Sequence, residues 1–165
     1  MFAKRLCVRA ERDKMSENDL KRLTEYAQTD TLLYFAPYPE KLTALQERKW
    51  GAVIDAFNAD GADLKPTKTL TVAAISPKTE RLIKEKRNAL GDAALPWFFE
   101  LAGAYRSVLL AFAVCEGKLS EDEAFALSNL EESYQNELWQ TDAEALKARG
   151  IRHDAAKNAL RHIKG

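Results

Sequence analysis

The chain has 165 residues, of which 46% are hydrophobic, and its 25 basic side chains balance 25 acidic ones. That length and apolar content suffice for one domain with a hydrophobic core. Because the formal net charge is zero, the chain has no general attraction to nucleic acid, and nucleic-acid binding is not expected. Two cysteines, Cys7 and Cys115, are too few for a disulfide framework or a zinc site, which indicates reduced thiols in an intracellular protein.

Neither a cleavable signal nor a membrane span is predicted. The basic N-terminus also contains Glu11 and Asp13, whereas transit peptides are usually poor in acids. The most apolar stretch, residues 95–114, contains Glu100 and Arg106 near its middle, and two ionisable side chains at bilayer depth would be costly. We therefore predict a buried core helix there and no stable insertion into a membrane.

In chain order, the pattern first predicts a helix over residues 16–29 that is capped at its start by Ser16. Residues 31–36 would either continue this helix or form a short strand before two prolines break the chain. A second helix over residues 40–58 carries apolar side chains at three- and four-residue steps. The alternation over residues 64–72 favours a strand or an extended loop.

The next two predicted helices have clear boundaries. A third helix starts at Ser76, which is followed by Pro77, and it ends at Gly91, because proline suits the first turn of a helix and glycine its C-terminal cap. The fourth helix, over residues 93–115, is apolar nearly all round, which is typical of a central helix in a bundle.

The last third of the chain predicts three more helices. Ser120 with Glu123 forms a capping box for the fifth helix, and Thr141 with Glu144 forms one for the sixth. Gly150 would then separate a short last helix that is rich in lysine and arginine.

No repeat, low-complexity tract or long linker divides the chain. The predicted fold class is therefore mainly α, a single orthogonal helical bundle. We expect this domain over residues 20–165, behind an N-terminal segment of residues 1–19 without a clear pattern. The composition leaves room for one or two short strands near residues 31–36 and 64–72.

The sequence shows no sign of catalysis. It has no glycine-rich phosphate loop and no Gly-x-Ser-x-Gly turn, and its two histidines, His153 and His162, lie in a C-terminal segment that we expect to fray. Solvated histidines are favoured over a metal site because no third ligand is close in sequence. We predict no catalytic residue, cofactor or metal, and no enzyme activity.

The fifth predicted helix holds a carboxylate on its apolar stripe. Leu127, Leu130 and Tyr134 fall on one side of the helix, and Glu131 lies among them, where a buried carboxylate must be paired. Its natural partner is Arg106 in the apolar fourth helix. This predicts a Glu131–Arg106 pair that fixes the helix register.

A second face of the same helix mixes aromatic with polar side chains, a combination typical of protein interfaces. Its members, with Glu131 added as a neighbour, are the candidate partner-binding residues: Phe125, Ser128, Glu131, Glu132, Gln135 and Trp139. The alternative is that the two aromatic side chains pack on neighbouring helices while Glu132 is merely solvated.

Four residues are predicted to have structural roles. Gln46 and Trp50 lie on or beside the apolar stripe of the second helix, where a hydrogen-bonded core glutamine is favoured over an amide presented to a partner. Asp30 follows a helix end, where capping is favoured over catalysis. Arg106 is the fourth, as the partner of Glu131.

Several segments, in this order, resemble one known family. They are the run Thr29-Asp-Thr-Leu32, Gln46 with Trp50, Arg106-Ser107, the run Gly117-Lys-Leu-Ser-Glu-Asp-Glu-Ala124, and Leu130-Glu-Glu-Ser-Tyr-Gln135 with Trp139. Over roughly residues 20–145 the chain is similar to the C-terminal helical domain of the chaperones that guard the α subunit of ATP synthase while its F(1) head is assembled.

The resemblance implies a partner and a place in the cell. Such chaperones hold the free α subunit so that it does not aggregate before it pairs with the β subunit, and they hydrolyse no nucleotide. The partner would be the ATP synthase α subunit, and the chain would be a monomer in the mitochondrial matrix or, alternatively, in a bacterial cytoplasm. The alternative function is a helical scaffold or adaptor with another protein partner.

The chain departs from the family pattern in two places. Members normally carry a β-rich domain ahead of the bundle, and almost nothing before Leu20 fits it, so we expect a late-starting gene model, a fragment or a reduced form. In addition, Trp139 is followed by Gln140, where the family usually has glycine. The turn after the fifth helix is therefore expected to differ.

Overall fold

The computed structural model describes residues 17–138 and 142–165. Helix α1 covers residues 17–28, and a 3-10 turn at Thr31–Leu33 follows it. The other helices are α2 (Glu40–Ala59), α3 (Pro77–Leu90), α4 (Leu95–Tyr105), α5 (Val108–Cys115), α6 (Glu121–Ser128), α7 (Leu130–Leu138) and α8 (Ala143–Lys164). The predicted mainly α fold is confirmed. Among these residues, no helix is both long and apolar enough to cross a membrane.

The two segments in which strands were allowed meet in one parallel bridge between Tyr34 and Thr67. The backbone N–H of Phe35 donates to the Thr67 carbonyl at 2.8 Å, and the N–H of Thr67 donates to the Leu33 carbonyl at 2.7 Å. The bridge ties the loop after α1 to the long loop between α2 and α3. It does not extend into a strand.

Several predicted helix boundaries are confirmed. The Ser76 hydroxyl caps α3 by accepting from the backbone of the helix, and Gly91 ends that helix at a φ of 81°, a conformation that glycine adopts without steric cost. Ser120 and Glu123 form the predicted capping box of α6. Ser16 lies outside the described residues.

The fourth predicted helix consists of two helices, because the helical conformation is interrupted at Arg106. Arg106 adopts the left-handed conformation, with φ 54° and ψ 30°, and ends α4. Ser107 then caps α5, its hydroxyl accepting from the Leu110 N–H at 3.0 Å. Because both helices are buried and apolar, the hydrophobic pattern of the sequence does not reveal the interruption between them.

The C-terminal part of the chain also differs from the prediction. The predicted fifth helix breaks at Asn129, which separates α6 from α7. Gly150 separates nothing, because α8 runs through it. Thr141 lies outside the described residues, and Asp142 caps α8 instead by accepting from the Glu144 N–H at 3.1 Å.

Helix α8 packs on α4 and is helical as far as Lys164. Ala156 and Ala159 of α8 are buried, and small side chains allow two helices to approach closely. At the end of α8, the His162 ring stacks on Trp97 with ring centroids 3.8 Å apart. His162 is exposed, as expected of a solvated residue on a helix surface, whereas His153 is half-buried, so that expectation was wrong for His153 alone.

The core surrounds α4 and α5. Its largest fully buried side chains from these two helices are Phe98, Leu101, Tyr105, Leu109, Leu110 and Phe112. Phe57 of α2 contacts Phe112 with ring centroids 6.2 Å apart. Phe98 also contacts Phe112, with ring centroids 4.5 Å apart. The two central helices thus serve as the surface on which the others pack.

Helix α2 is fixed by two buried side chains that the sequence assigned to structure. The Gln46 Oε1 atom accepts from the Ala36 N–H at 2.6 Å, and Gln46 is fully buried. Trp50 is also buried, and its indole Nε1 donates to the Leu127 carbonyl at 2.8 Å. One hydrogen bond ties α2 to the loop before it, and the other ties it to α6.

Asp30 holds the start of α5 to the loop after α1. Its side chain is buried and accepts at 3.0 Å from each of three donors: the Leu32 N–H, the Ser107 hydroxyl and the Leu109 N–H. Burial raises the pKa of this carboxyl from 3.8 to about 6, and the same hydrogen bonds oppose that rise. Asp30 therefore has a structural position, at a helix N-terminus in the core.

The raised pKa of Asp30 predicts a pH-dependent stability. Because the pKa is higher in the folded than in the unfolded chain, the stabilisation from this group is complete below about pH 3.8 and is lost as the pH rises through about 6. The free energy that corresponds to this change in pKa is about 3 kcal/mol. Asp30→Asn cannot titrate, so the wild type should lose about 2–3 kcal/mol relative to this variant between pH 4 and pH 7.

Urea denaturation of both proteins across that pH range measures the difference in unfolding free energy. A difference that is independent of pH would contradict the raised pKa. A difference that favours the wild type as the pH rises would mean that hydrogen bonding outweighs burial at this carboxyl.

Candidate functional site

The candidate partner-binding residues occupy α6 and α7, but they do not form one face. Phe125 and Ser128 are buried in α6, whereas Gln135 is exposed on α7. The interruption at Asn129 explains why the candidates do not share one face, because side chains on one side of α6 no longer align with the corresponding side of α7. Trp139 lies outside the described residues.

Phe125 and Ser128 contact the protein interior. The Phe125 ring stacks on His153 of α8, with centroids 4.0 Å apart and planes 4° apart. The Ser128 hydroxyl donates to the Phe125 carbonyl at 2.8 Å. The stacking on His153 agrees with the alternative that Phe125 packs on a neighbouring helix, whereas the Ser128 hydrogen bond lies within α6.

The predicted Glu131–Arg106 pair is wrong, because the Arg106 guanidinium lies 3.4 Å from Glu132. Both carboxylates are half-buried on α7, so exposure does not distinguish them. The prediction assumed two unbroken helices. The breaks at Arg106 and Asn129 change the direction of both side chains, and they bring the adjacent carboxylate into contact instead.

Three arginine side chains surround Glu132, and we call them the arginine cluster: Arg106, Arg149 and Arg152. Arg106 Nη1 lies 3.4 Å from Glu132 Oε1, whereas the Nη2 atoms of Arg149 and Arg152 lie 3.4 and 3.7 Å from Oε2. Arg106 comes from the α4–α5 junction and the other two come from α8. The site thus joins three separate parts of the chain around one carboxylate.

The arginine cluster carries an excess of positive charge. Burial lowers the pKa of Arg152, the nearby Arg106 and Arg149 lower it further, and Glu132 opposes them. The Arg152 Nη2 atom donates to Asn129 Oδ1 at 3.0 Å, and its guanidinium lies over the Phe125 ring at 5.9 Å from the centroid. Its Nη1 atom is buried and has no hydrogen-bond partner among the described residues.

The position of Arg106 is fixed by the loop after α1. Its carbonyl oxygen accepts from the Thr31 hydroxyl at 2.8 Å and from the Thr31 N–H at 3.2 Å. Its side chain is 53% exposed. The backbone is therefore held while the guanidinium remains accessible to solvent and to a partner.

A small cavity adjoins the arginine cluster between α7 and α8. It has a volume of about 100 Å³, and its walls are Glu132, Gln135, Asn136, Ala145, Leu146 and Arg149. Leu146 is 51% exposed, so an apolar side chain stands beside the charged groups. Polar, charged and apolar groups in one exposed patch are the composition of a protein-binding surface.

A second charged cluster joins α6 to α8. The Nε2 atom of His153 lies 2.8 Å from the Glu121 carboxylate and 3.3 Å from that of Asp122. Potential ligand atoms of all three residues lie within 4.8 Å of one another. They are the described residues whose geometry suits a metal ion, and because Glu121 and His153 are 32 positions apart in the sequence, their spacing gives no sign of this grouping.

No described cavity supports the idea of a small helical enzyme. Glu100, Arg106 and Glu131 were its candidate residues, and none of them lines the cavities of about 520 and 260 Å³ beside α5. Cys115 lines the larger cavity, where burial raises the pKa of its thiol to about 11. A thiol with that pKa is protonated at neutral pH and is a weak nucleophile.

Sequence analysis missed Arg149 and Arg152. They lie three residues apart, which puts them on the same side of a helix, and this spacing within a basic segment was the available signal. Their common partner Glu132 is on another helix. Only the tertiary structure, in which α8 lies beside α7, shows that Glu132 is the partner of both arginines.

The geometry predicts different effects for two adjacent carboxylates. Glu132→Gln leaves three guanidinium groups without their counterion and should lower the free energy of unfolding by about 1 kcal/mol at low salt, a value kept small by the exposure of the pair. High salt should reduce that loss, because screening weakens the repulsion among the arginines.

Glu131→Gln is the matched control, with the same chemical change one residue earlier, and it should alter stability by less than about 0.5 kcal/mol. Urea denaturation at low salt and at about 0.5 M salt measures both variants. Equal losses from the two substitutions would mean that the arginine cluster does not depend on Glu132.

Three comparisons relate this chain to known proteins. A family model described as "ATP12 chaperone protein" matches residues 2–58, so the similarity includes part of the N-terminal segment in which the sequence analysis found almost none. The mitochondrial protein atp12 of Schizosaccharomyces pombe is 25% identical over 158 residues, and the match covers 89% of this chain and 54% of that protein.

Solved structures share the fold. Atp12 from Paracoccus denitrificans superposes with a TM-score of 0.83 at 26% identity, covering 92% of this chain and 65% of that one. A protein from Agrobacterium tumefaciens also gives a TM-score of 0.83, at 27% identity, covering 90% of this chain and 56% of that one.

This chain therefore spans between about half and two thirds of the length of these relatives. Its similarity to each of them extends over nearly the whole helical bundle. The family model, the yeast protein and the Paracoccus structure carry the same name, and the predicted resemblance to the ATP12 chaperones is thereby confirmed.

Proposed function

We propose that this chain is a chaperone for the assembly of the F(1) head of ATP synthase, and that it binds the free α subunit and prevents its aggregation. The observation that carries the proposal is the match of almost the whole bundle to Atp12 of Paracoccus denitrificans, with a TM-score of 0.83. The resemblance of the block Leu130-Glu-Glu-Ser-Tyr-Gln135 to the same family supports the choice of the α subunit.

The proposed activity is binding without catalysis. An unassembled subunit exposes apolar surface that would self-associate, and a chaperone need only cover that surface more weakly than the true partner does. The sequence has no glycine-rich phosphate loop. Binding and release then depend on the relative affinities of the chaperone and the β subunit, without nucleotide hydrolysis and without a cofactor.

The proposed binding surface is the exposed side of α7 with the adjoining part of α8. We include Glu132 and Gln135 in it, together with Leu146, because all three line the small cavity. Glu131 and Trp139 remain candidates on the same helix and just after it. Phe125 and Ser128, which are buried, would support this surface from beneath without touching the partner.

The proposed location follows that of the relatives. The yeast protein is mitochondrial by name, which supports the mitochondrial matrix, and the two structural relatives are bacterial, which supports the cytoplasm of a bacterium as the alternative. In either place the chain would act as a monomer on one α subunit at a time.

The proposed function predicts that the purified chain suppresses aggregation of the isolated α subunit encoded by the same genome. Light scattering should fall to a minimum near a one-to-one ratio and should not change when nucleotide is omitted. Undiminished aggregation, together with the recovery of a different protein from cells, would favour a scaffold or adaptor with another partner.

The proposed surface is tested with two exposed leucines. Leu146→Ser should raise the dissociation constant of the α subunit about tenfold, because burial of a leucine side chain contributes about 1.5–3 kcal/mol. Leu70→Ser removes a leucine that is more exposed still, in the loop between α2 and α3, and should have no effect. Equal binding by both variants would remove the α7–α8 surface from the proposal.

A further inference from the structure

We propose that the arginine cluster is a docking site for an acidic segment of the protein partner, in which carboxylates bind Arg106 and Arg149 while Glu132 holds the guanidinium groups in place. This inference rests on the proposed function, since the partner is the α subunit. It adds the chemistry of recognition, namely cation-to-carboxylate contacts beside a small cavity that Leu146 lines.

The cluster has more positive charge than its own carboxylate can neutralise. Three guanidinium groups lie within 3.7 Å of one glutamate, which leaves a local formal charge of +2 in a chain whose net charge is zero. Like charges at this distance repel one another. A second carboxylate would lower the local charge to +1 and offset part of that repulsion.

The hydrogen-bonding capacity of the cluster is also unfilled. Each guanidinium carries about five N–H donors, and the closest contacts to Glu132 are 3.4 Å, longer than the roughly 2.7–2.9 Å of a charge-assisted hydrogen bond. The Nη1 atom of Arg152 is buried and has no partner among the described residues. The remaining N–H donors of Arg106, whose side chain is 53% exposed, are open to an incoming carboxylate.

The backbone at Arg106 is a second, independent observation. A residue with a side chain in the left-handed conformation costs about 1 kcal/mol, which glycine avoids. At φ 54° this chain nevertheless has an arginine, and the Arg106 side chain is 53% exposed. Strain at an accessible charged residue is typical of functional positions.

The surroundings favour a peptide segment over a small anion. Leu146 and Gln135 stand beside Glu132 and Arg149 in the walls of the adjoining cavity, and Leu146 is half exposed. An extended acidic segment with one apolar side chain would contact both the cations and the leucine. Inorganic phosphate would contact only the cations.

The decisive variants are Arg106→Gly and Arg149→Gln, with Arg81→Gln as the control. Each removes one positive charge. Arg106→Gly also removes the backbone strain, so it should keep or raise the stability of the fold. Arg81 is exposed on α3, where its Nε donates to the Pro77 carbonyl of the same helix at 3.4 Å, so its loss leaves the arginine cluster intact.

The first measurement is the dissociation constant of the isolated α subunit at about 50 and 200 mM salt. Arg106→Gly and Arg149→Gln should each weaken binding about tenfold at low salt and should flatten its salt dependence, whereas Arg81→Gln should bind like the wild type. If the wild type binds the α subunit and both cluster variants bind equally well, the inference is wrong and the proposed function stands.

Failure of the wild type to capture the α subunit would refute the proposed function. The second measurement tests the inference about the arginine cluster even in that case. A synthetic peptide of alternating glutamate and leucine should bind the wild type, and it should bind Arg106→Gly and Arg149→Gln about tenfold more weakly. A lysine–leucine peptide of the same length should not bind. Binding of inorganic phosphate without the glutamate peptide, or of neither, would overturn the inference.

Discussion

The buried carboxylate of Asp30 holds together the part of the fold on which everything else depends. It accepts from the Ser107 hydroxyl and from the Leu109 N–H at the first turn of α5, where free backbone donors and the helix dipole favour a negative charge. One residue later, Thr31 donates twice to the carbonyl of Arg106. The loop after α1 thus caps α5 and fixes the residue that ends α4.

This arrangement explains why an interruption between two helices is tolerated in the middle of the core. A break between two buried helices exposes backbone donors and acceptors that water cannot reach, and each unpaired group would cost about 1–3 kcal/mol. Asp30, Thr31 and Ser107 satisfy these groups from within the protein. The break in turn directs Arg106 outwards to Glu132, so a structural need of the core determines the geometry of the surface site.

The sequence predicted those features that depend on neighbouring residues and missed those that depend on packing. Ser76, Gly91 and Ser120 mark helix ends because capping is a local interaction. The breaks at Arg106 and Asn129 were missed because the apolar pattern continues across both. Periodicity reports which side of a helix is buried, and it contains no information about a bend between two buried helices.

The same distinction applies to the candidate site. The block around Glu132 could be found by its resemblance to a family, but the choice of Glu131 as the partner of Arg106 assumed straight helices and was wrong by one residue. Arg149 and Arg152 could not be assigned to Glu132, since nothing local relates α8 to α7. Gly150 suggested a helix end, yet the packing of α8 on α4 outweighs its poor helix propensity, which costs only about 1 kcal/mol.

The position of Glu132 changes how any substitution there should be understood. If this carboxylate were simply presented to a partner, its removal would delete one contact. Because three arginines share it, its removal instead releases three cations that repel each other, and Arg106 and Arg149 lose the group that orients them. A charge-reversing change to lysine would add a fourth cation to the same place. The effect on binding would then come from the disordered arginine cluster as much as from Glu132 itself, and a defect caused in this way should be relieved in part when one of the arginines is also replaced.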